Sequence, residues 1–138
     1  MRLKIIDPAC FSGRKVLLRV DFNVPMTGDH VGDDTRIAAH VPTIRALSAT
    51  GAKVALVSHF GRPKGSQSAE FSLRRVLPAV EKTLNGKIPF VDDCIGDIVA
   101  ATLDALSPGG VALLENVRFH KEEQQNDAGF AATLAAPF

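Results

Sequence analysis

Apolar residues come in unbroken blocks along three stretches of this chain: Lys15-Val16-Leu17-Leu18-Arg19-Val20, Lys53-Val54-Ala55-Leu56-Val57 and Val111-Ala112-Leu113-Leu114. Blocks of this length, rich in valine and leucine, predict strands buried on both faces, the kind that builds parallel sheets. Each block runs into a polar tip. The first ends in Asp21-Phe22-Asn23-Val24-Pro25, the second in Ser58-His59-Phe60-Gly61-Arg62-Pro63, and the third in Glu115-Asn116-Val117-Arg118-Phe119-His120.

Between the blocks the period changes to that of a helix. Pro42 suits a first helical turn and Gly51 a helix stop, with Ile44 and Leu47 inward and Val41 placed as a staple. The preceding segment Asp34-Thr35-Arg36-Ile37-Ala38 is expected as a separate turn or short helix, because a residue before proline is biased away from helical backbone. Ser72 can cap a helix running to about residue 84, with Leu73, Val76, Leu77, Val80 and Leu84 on one side and a kink at Pro78. Asn85-Gly86 would stop it. Lys87-Ile88-Pro89-Phe90-Val91 predicts a short strand that Pro89 pushes towards a sheet edge. Residues 95–106 predict a helix with Ile98, Val99, Thr102, Leu103 and Leu106 inward, and Asn126 can cap a last helix carrying Phe130 and Leu134. Strand and helix alternate through the chain, which predicts an α/β fold with three layers, α/β/α, around a mostly parallel sheet. A further strand is expected after the last helix, so the fold reads as incomplete at its C-terminal end.

Composition narrows the function. The 138 residues suit one domain, which at this size buries ~70% of the unfolded surface. A net charge of +1, from 16 basic and 15 acidic residues, argues against nucleic acid as a partner. Cys10 and Cys94 lie far apart with no metal-ligand spacing, so reduced thiols and no metal are expected. No apolar run is long enough to span a membrane, and Met1-Arg2-Leu3-Lys4-Ile5-Ile6-Asp7 lacks the apolar core of a signal peptide; cytoplasm is expected. Without Trp or Tyr there is no obvious stacking platform.

The chemistry therefore falls to the tips. Walker spacing, a G-x-G-x-x-G turn, H-E-x-x-H, C-x-x-C and a nucleophile elbow are all missing. Ligands of open α/β sheets bind outside the carboxyl ends of the strands. That rule gathers Asp21, Asn23, His59, Arg62 and Arg118 along one edge, with Arg36 on a neighbouring segment. Arginine's planar fork matches phosphate or carboxylate in two bonds at once. The set points to a small anion carrying a hydroxyl. Each residue also has a plainer reading. Arg118 and Arg62 can be solvated charges, Arg36 can pair with Asp33 or Asp34, and Asp21 with Asn23 can form an Asx-turn. Lys64, Lys121, Glu122 and Glu123 are expected as solvated surface.

Taken in order, Arg19-Val20-Asp21-Phe22-Asn23-Val24-Pro25, Asp34-Thr35-Arg36-Ile37, Pro42-Thr43-Ile44, Ser58-His59-Phe60-Gly61-Arg62-Pro63, Asp93-Cys94-Ile95-Gly96 and Leu113-Leu114-Glu115-Asn116-Val117-Arg118-Phe119-His120 resemble the phosphoglycerate kinase family in its bacterial form. The resemblance runs from about residue 5 to residue 134. It implies reversible phosphoryl transfer between ATP and the carboxylate of 3-phosphoglycerate, giving 1,3-bisphosphoglycerate and ADP in glycolysis. It implies that Asp21 and Asn23 hold the substrate's hydroxyl and carboxylate end, that His59, Arg62 and Arg118 belong to the basic patch gripping the acceptor, and that Arg36 both binds the substrate and is the catalytic arginine. It also implies that residues 1–138 are part of the N-terminal acceptor domain. The nucleotide domain, with its Mg-ATP site, lies outside this sequence, and so does a later segment supplying another arginine. Ala135-Ala136-Pro137-Phe138 departs from the family's continuation. The isolated chain is expected to be inactive and the parent enzyme monomeric. In the family sheet two further strands flank the first block, which leaves that block here as an apolar edge. The alternative expectation is a non-catalytic anion-binding remnant stabilised by a partner chain.

Overall fold

The computed structural model describes residues 6–138, so the reading of Met1 to Ile5 lies outside the described residues. Ten strands and helices follow in order: β1 (Lys15–Arg19), β2 (Met26–Thr27), β3 (His30–Val31), α1 (Thr35–Ala49), β4 (Lys53–Val57), α2 (Leu77–Leu84), β5 (Phe90–Val91), α3 (Asp97–Ala105), β6 (Val111–Leu114) and α4 (Ala128–Ala135). The main sheet is parallel throughout, in the order β1-β4-β6-β5. β2 and β3 form a separate small hairpin.

Alternation along the central strand explains the layers. Side chains of a strand point to opposite faces in turn. Val54 and Leu56 join one core with Ile37, Ile44 and Leu47 of α1 and Val80 of α2. Ala55 and Val57 join the other with Val99 and Leu103 of α3, against which Phe130 and Leu134 of α4 also pack. The expected three-layer α/β/α architecture is therefore what forms. β1 is an edge strand with Leu17 and Leu18 half-buried, and β5 is the opposite edge, shortened to two residues after Pro89.

Several local expectations give way to packing. Residues 35–49 make one continuous helix with Pro42 inside it, not a turn followed by a helix. An internal proline costs about 3 kcal/mol. Ile37 on one side of Pro42 and Ile44 and Leu47 on the other are all at most 4% exposed, each contributing about 1.5–3 kcal/mol on burial. A break at Pro42 would forfeit part of that. Ser72 caps only a 3₁₀ turn, Leu73–Arg75, by accepting from the Arg74 N–H at 3.1 Å. The α-helix begins at Leu77, so Pro78 sits in a first turn, where its missing N–H is harmless, and no kink forms. Asp127, not Asn126, caps α4, accepting from the Phe130 N–H at 2.7 Å. Ile98 faces solvent at 48% exposure while Val99 and Leu103 are buried.

Candidate functional site

The carboxyl edge of the sheet is built on a buried polar frame. Asn116 is 1% exposed and its side chain is fully used. Its Oδ1 accepts from the Phe60 N–H at 3.2 Å and the Arg118 N–H at 3.1 Å. Its Nδ2 donates to the Phe60 carbonyl at 2.6 Å and the Phe71 carbonyl at 2.8 Å. Glu115 accepts from the Leu73 N–H at 2.9 Å, the Asn116 N–H at 2.7 Å and the Ser72 hydroxyl at 2.6 Å. Ser58, wholly buried, accepts from the Phe22 N–H at 2.9 Å and donates to the His59 carbonyl at 2.9 Å. Buried polar groups are costly unless paired, and among the described residues no buried side-chain polar atom lacks a partner. This frame fixes the loop 59–72 that carries His59 and Arg62. Gly61 belongs to the same construction, because its φ of +60° and the Phe71 ring against it leave no place for a Cβ.

The charged rim sits on that frame. Asn23 accepts from the Gly61 N–H through Oδ1 at 3.0 Å, which ties the first tip to the second. Arg36 donates from Nη1 to the Asn23 carbonyl at 3.0 Å and to Asp21 Oδ2 at 3.2 Å. It therefore reaches across to Asp21 and makes no ion pair with Asp33 or Asp34. Asp21 Oδ1 also accepts from the Asn23 N–H at 3.1 Å, so the Asx-turn reading holds together with the ion pair. The Asp21 N–H donates to His40 Nε2 at 2.9 Å, which fixes the acceptor nitrogen of that ring. Arg62 is exposed at the surface of its loop.

Arg118 and His59 form a second group. Glu123 bridges Arg19 and Arg118, with Oε1 at 2.8 Å from Arg19 Nη2 and Oε2 at 3.2 Å from Arg118 Nε. The expectation of Glu123 as solvated surface is corrected: its side chain is 12% exposed, because two guanidinium groups draw it in. Burial pushes the Glu123 carboxyl up, but the hydrogen bonds and charges of Arg19 and Arg118 together outweigh this and leave it below the usual range. His59 is held below its ordinary value by burial first, then by the charges of Arg118 and Arg19, with Asp21 and Glu123 opposing.

Sequence reasoning placed Asp21, Asn23, Arg36, His59, Arg62 and Arg118 at one edge. The structure links Asp21, Asn23 and Arg36 directly, and sets His59 in the field of Arg118 and Asp21. It missed the roles of Glu115, Asn116, Ser58, Glu123 and His40. Only Asn116 and Glu115 carried a local signal, two polar residues directly after a buried block.

Asp93, Cys94 and His120 are the trio of metal-type ligands found among the described residues, their ligand atoms within 4.8 Å of one another. Asp93 Oδ1 is already engaged, by the Cys94 N–H at 2.7 Å and His120 Nε2 at 2.8 Å. Burial, with Asp93 adding, lifts the Cys94 thiol to about 12. The Asp93–His120 hydrogen bond clamps two loops together, with the Cys94 thiol buried beside it.

The layers and the rim define an open α/β domain with a charged carboxyl edge. A family model described as phosphoglycerate kinase matches residues 6–138. The chain belongs to the phosphoglycerate kinase family. It is 51% identical over 135 residues to the phosphoglycerate kinase of Caulobacter sp. (strain K31), covering 98% of this chain and 34% of that one. Against the Brucella melitensis phosphoglycerate kinase it is 51% identical over 136 residues, covering 99% and 34%. Among solved structures, phosphoglycerate kinase from Pyrococcus horikoshii OT3 matches with a TM-score of 0.80 at 29% identity, covering 93% of this chain and 33% of that one. The Coxiella burnetii enzyme matches with a TM-score of 0.75 at 37% identity, covering 89% and 30%. The chain thus spans about a third of the length of the relatives it matches. No helix among the described residues is long and apolar enough to cross a membrane.

Proposed function

We propose that residues 1–138 form part of the acceptor domain of a phosphoglycerate kinase, acting on 3-phosphoglycerate in the cytoplasm. What supports this is the Asp21–Asn23–Arg36 cluster past the end of β1, with His59 and Arg62 following β4 and Arg118 following β6, all over a buried polar frame. In this reading Arg62, His59 and Arg118 take the phosphate of 3-phosphoglycerate, Asp21 and Asn23 take the hydroxyl and carboxylate end, and Arg36 both binds the acceptor and steadies the phosphoryl group in transfer. The acceptor carboxylate is already a competent nucleophile, so the reaction needs no general base. Positioning and charge neutralisation supply the catalysis. Magnesium–ATP is the second substrate, and we assign none of the described residues to it. The chain alone should bind the acceptor and turn over no ATP.

Calorimetry with 3-phosphoglycerate tests the reading. Binding by the chain, weakened about ten-fold in Arg62→Ala, supports it. Equal affinity in the two proteins defeats the assignment of Arg62, and ATP turnover by the chain alone defeats the division of labour.

A second reading is favoured by the β1 edge. An apolar groove of ≈ 560 Å³ lies along it, lined by Leu17, Leu18, Phe11 and Pro42 among others. A non-catalytic anion-binding protein whose partner chain covers that groove would elute as a complex. Elution of the purified chain as a monomer speaks against it.

A further inference from the structure

Glu123 joins two arginines on either side of the tip of β4. Arg19 ends β1 and Arg118 follows β6, the two strands that flank β4 in the sheet, and His59 lies just past the end of β4. A single carboxylate therefore spans the cationic edge from one flank to the other. It is drawn from a surface turn to 12% exposure, although the exposed Asp21–Arg36 pair on the same rim leaves both partners about half in water, at 51% and 55%. We propose that Glu123 is the built-in counter-ion of the anion site and sets how tightly this edge takes up a dianionic phosphate. The inference rests on the acceptor-site reading given above.

The chemistry follows from valence and charge. The carboxylate uses Nε of Arg118 and Nη2 of Arg19, and the Nη1–Nη2 end of the Arg118 fork makes no hydrogen bond among the described residues. A phosphate can approach that open end, but it does so beside a fixed negative charge. Part of the positive charge of Arg19 and Arg118 is already matched, so weakly held simple anions are disfavoured. A dianion with further contacts to Arg62 and His59 still binds. Removing the charge and keeping the shape should free the arginines.

The experiment uses Glu123→Gln, with inorganic phosphate and 3-phosphoglycerate as the two probes, read by calorimetry. Phosphate should bind about three- to ten-fold more tightly than to the unaltered chain, with a steeper loss as salt rises. His59 gives a second readout. Burial first, then the charges of Arg118 and Arg19, push its titration down, and Asp21 and Glu123 push it up. In Glu123→Gln its proton-NMR midpoint should move further down. Glu123→Asp retains the charge and should keep phosphate affinity within about two-fold of the unaltered chain. It overturns the proposal if it instead behaves like the glutamine variant.

The two readings fail separately. Binding of 3-phosphoglycerate with unchanged phosphate affinity in Glu123→Gln overturns the counter-ion and spares the acceptor site. Tighter phosphate in Glu123→Gln with no 3-phosphoglycerate binding to the unaltered chain upholds the counter-ion and defeats the acceptor reading. No binding of either phosphate or 3-phosphoglycerate to either protein overturns both.

Discussion

Asn116 and Arg36 stand on the same carboxyl edge, yet Asn116 is 1% exposed and Arg36 keeps 55% of its side chain in water. Asn116 makes four hydrogen bonds to backbone groups of three residues, Phe60, Phe71 and Arg118. Each of those backbone groups would be stranded without it. Arg36 makes two bonds that water can replace at little cost. An exposed ion pair contributes about 0–1 kcal/mol, whereas each buried polar group left unpaired costs about 1–3 kcal/mol. The difference separates geometry from reactivity. Groups that hold the edge in shape are dry and fully committed. The Arg36–Asp21 pair is wet and exchangeable, so a ligand of the proposed kind could recruit it without dismantling the fold.

The sharpest challenge to that contrast is Asn116→Ala. It should destabilise the chain by about 3 kcal/mol in urea titration, because the Phe60 and Phe71 backbone groups lose their partner. A loss below about 1 kcal/mol would erase the distinction. Ser58→Ala should cost about 1–2 kcal/mol by thermal unfolding, since the buried Phe22 N–H loses its acceptor. Arg36→Ala reverses the pattern. Its stability should stay within about 0.5 kcal/mol of the unaltered chain, while 3-phosphoglycerate affinity falls about ten-fold in calorimetry.

The smallest effect is on pH dependence. His59 titrates below its ordinary 6.5 in the folded chain, so below about that pH the unfolded chain binds more protons. Stability from His59 is complete above 6.5 and is lost as pH falls towards the lowered folded value. Thermal midpoints of His59→Gln should show a flatter slope just below pH 6.5. Glu123 acts in the same sense lower down, below its ordinary 4.5, where a slope remaining in His59→Gln is expected.

What could be read from the sequence was whatever local pattern controls. The valine and leucine blocks became β1, β4 and β6, because continuous apolar runs have nowhere to lie except between two layers. Asp21, Asn23, His59, Arg62 and Arg118 follow the ends of β1, β4 and β6, and parallel strands all end on the same side. Long-range pairing was not legible. Glu123 lies 104 residues from Arg19, and nothing in the run Lys121-Glu122-Glu123-Gln124-Gln125 separates it from a solvated turn. Pro42 misled for a related reason. Its local penalty is visible in the sequence, but the burial of Ile37, Ile44 and Leu47 that overrides it is a property of the assembled core.

The order of strands has a consequence for how the chain is made. β6 lies between β4 and β5, although it leaves the ribosome after both of them. β4 and β5 cannot meet until Val111–Leu114 arrives to fill the space between them. The second core waits as well, because Ala112, Leu114 and Val117 supply its centre. Non-local parallel pairing of this kind slows folding and leaves apolar strands uncovered meanwhile. During synthesis the nascent chain therefore carries β1 and β4 as a two-stranded ribbon through more than fifty residues of further translation, from Val57 to Val111. That interval, and not the finished domain, is when a chaperone has most to hold.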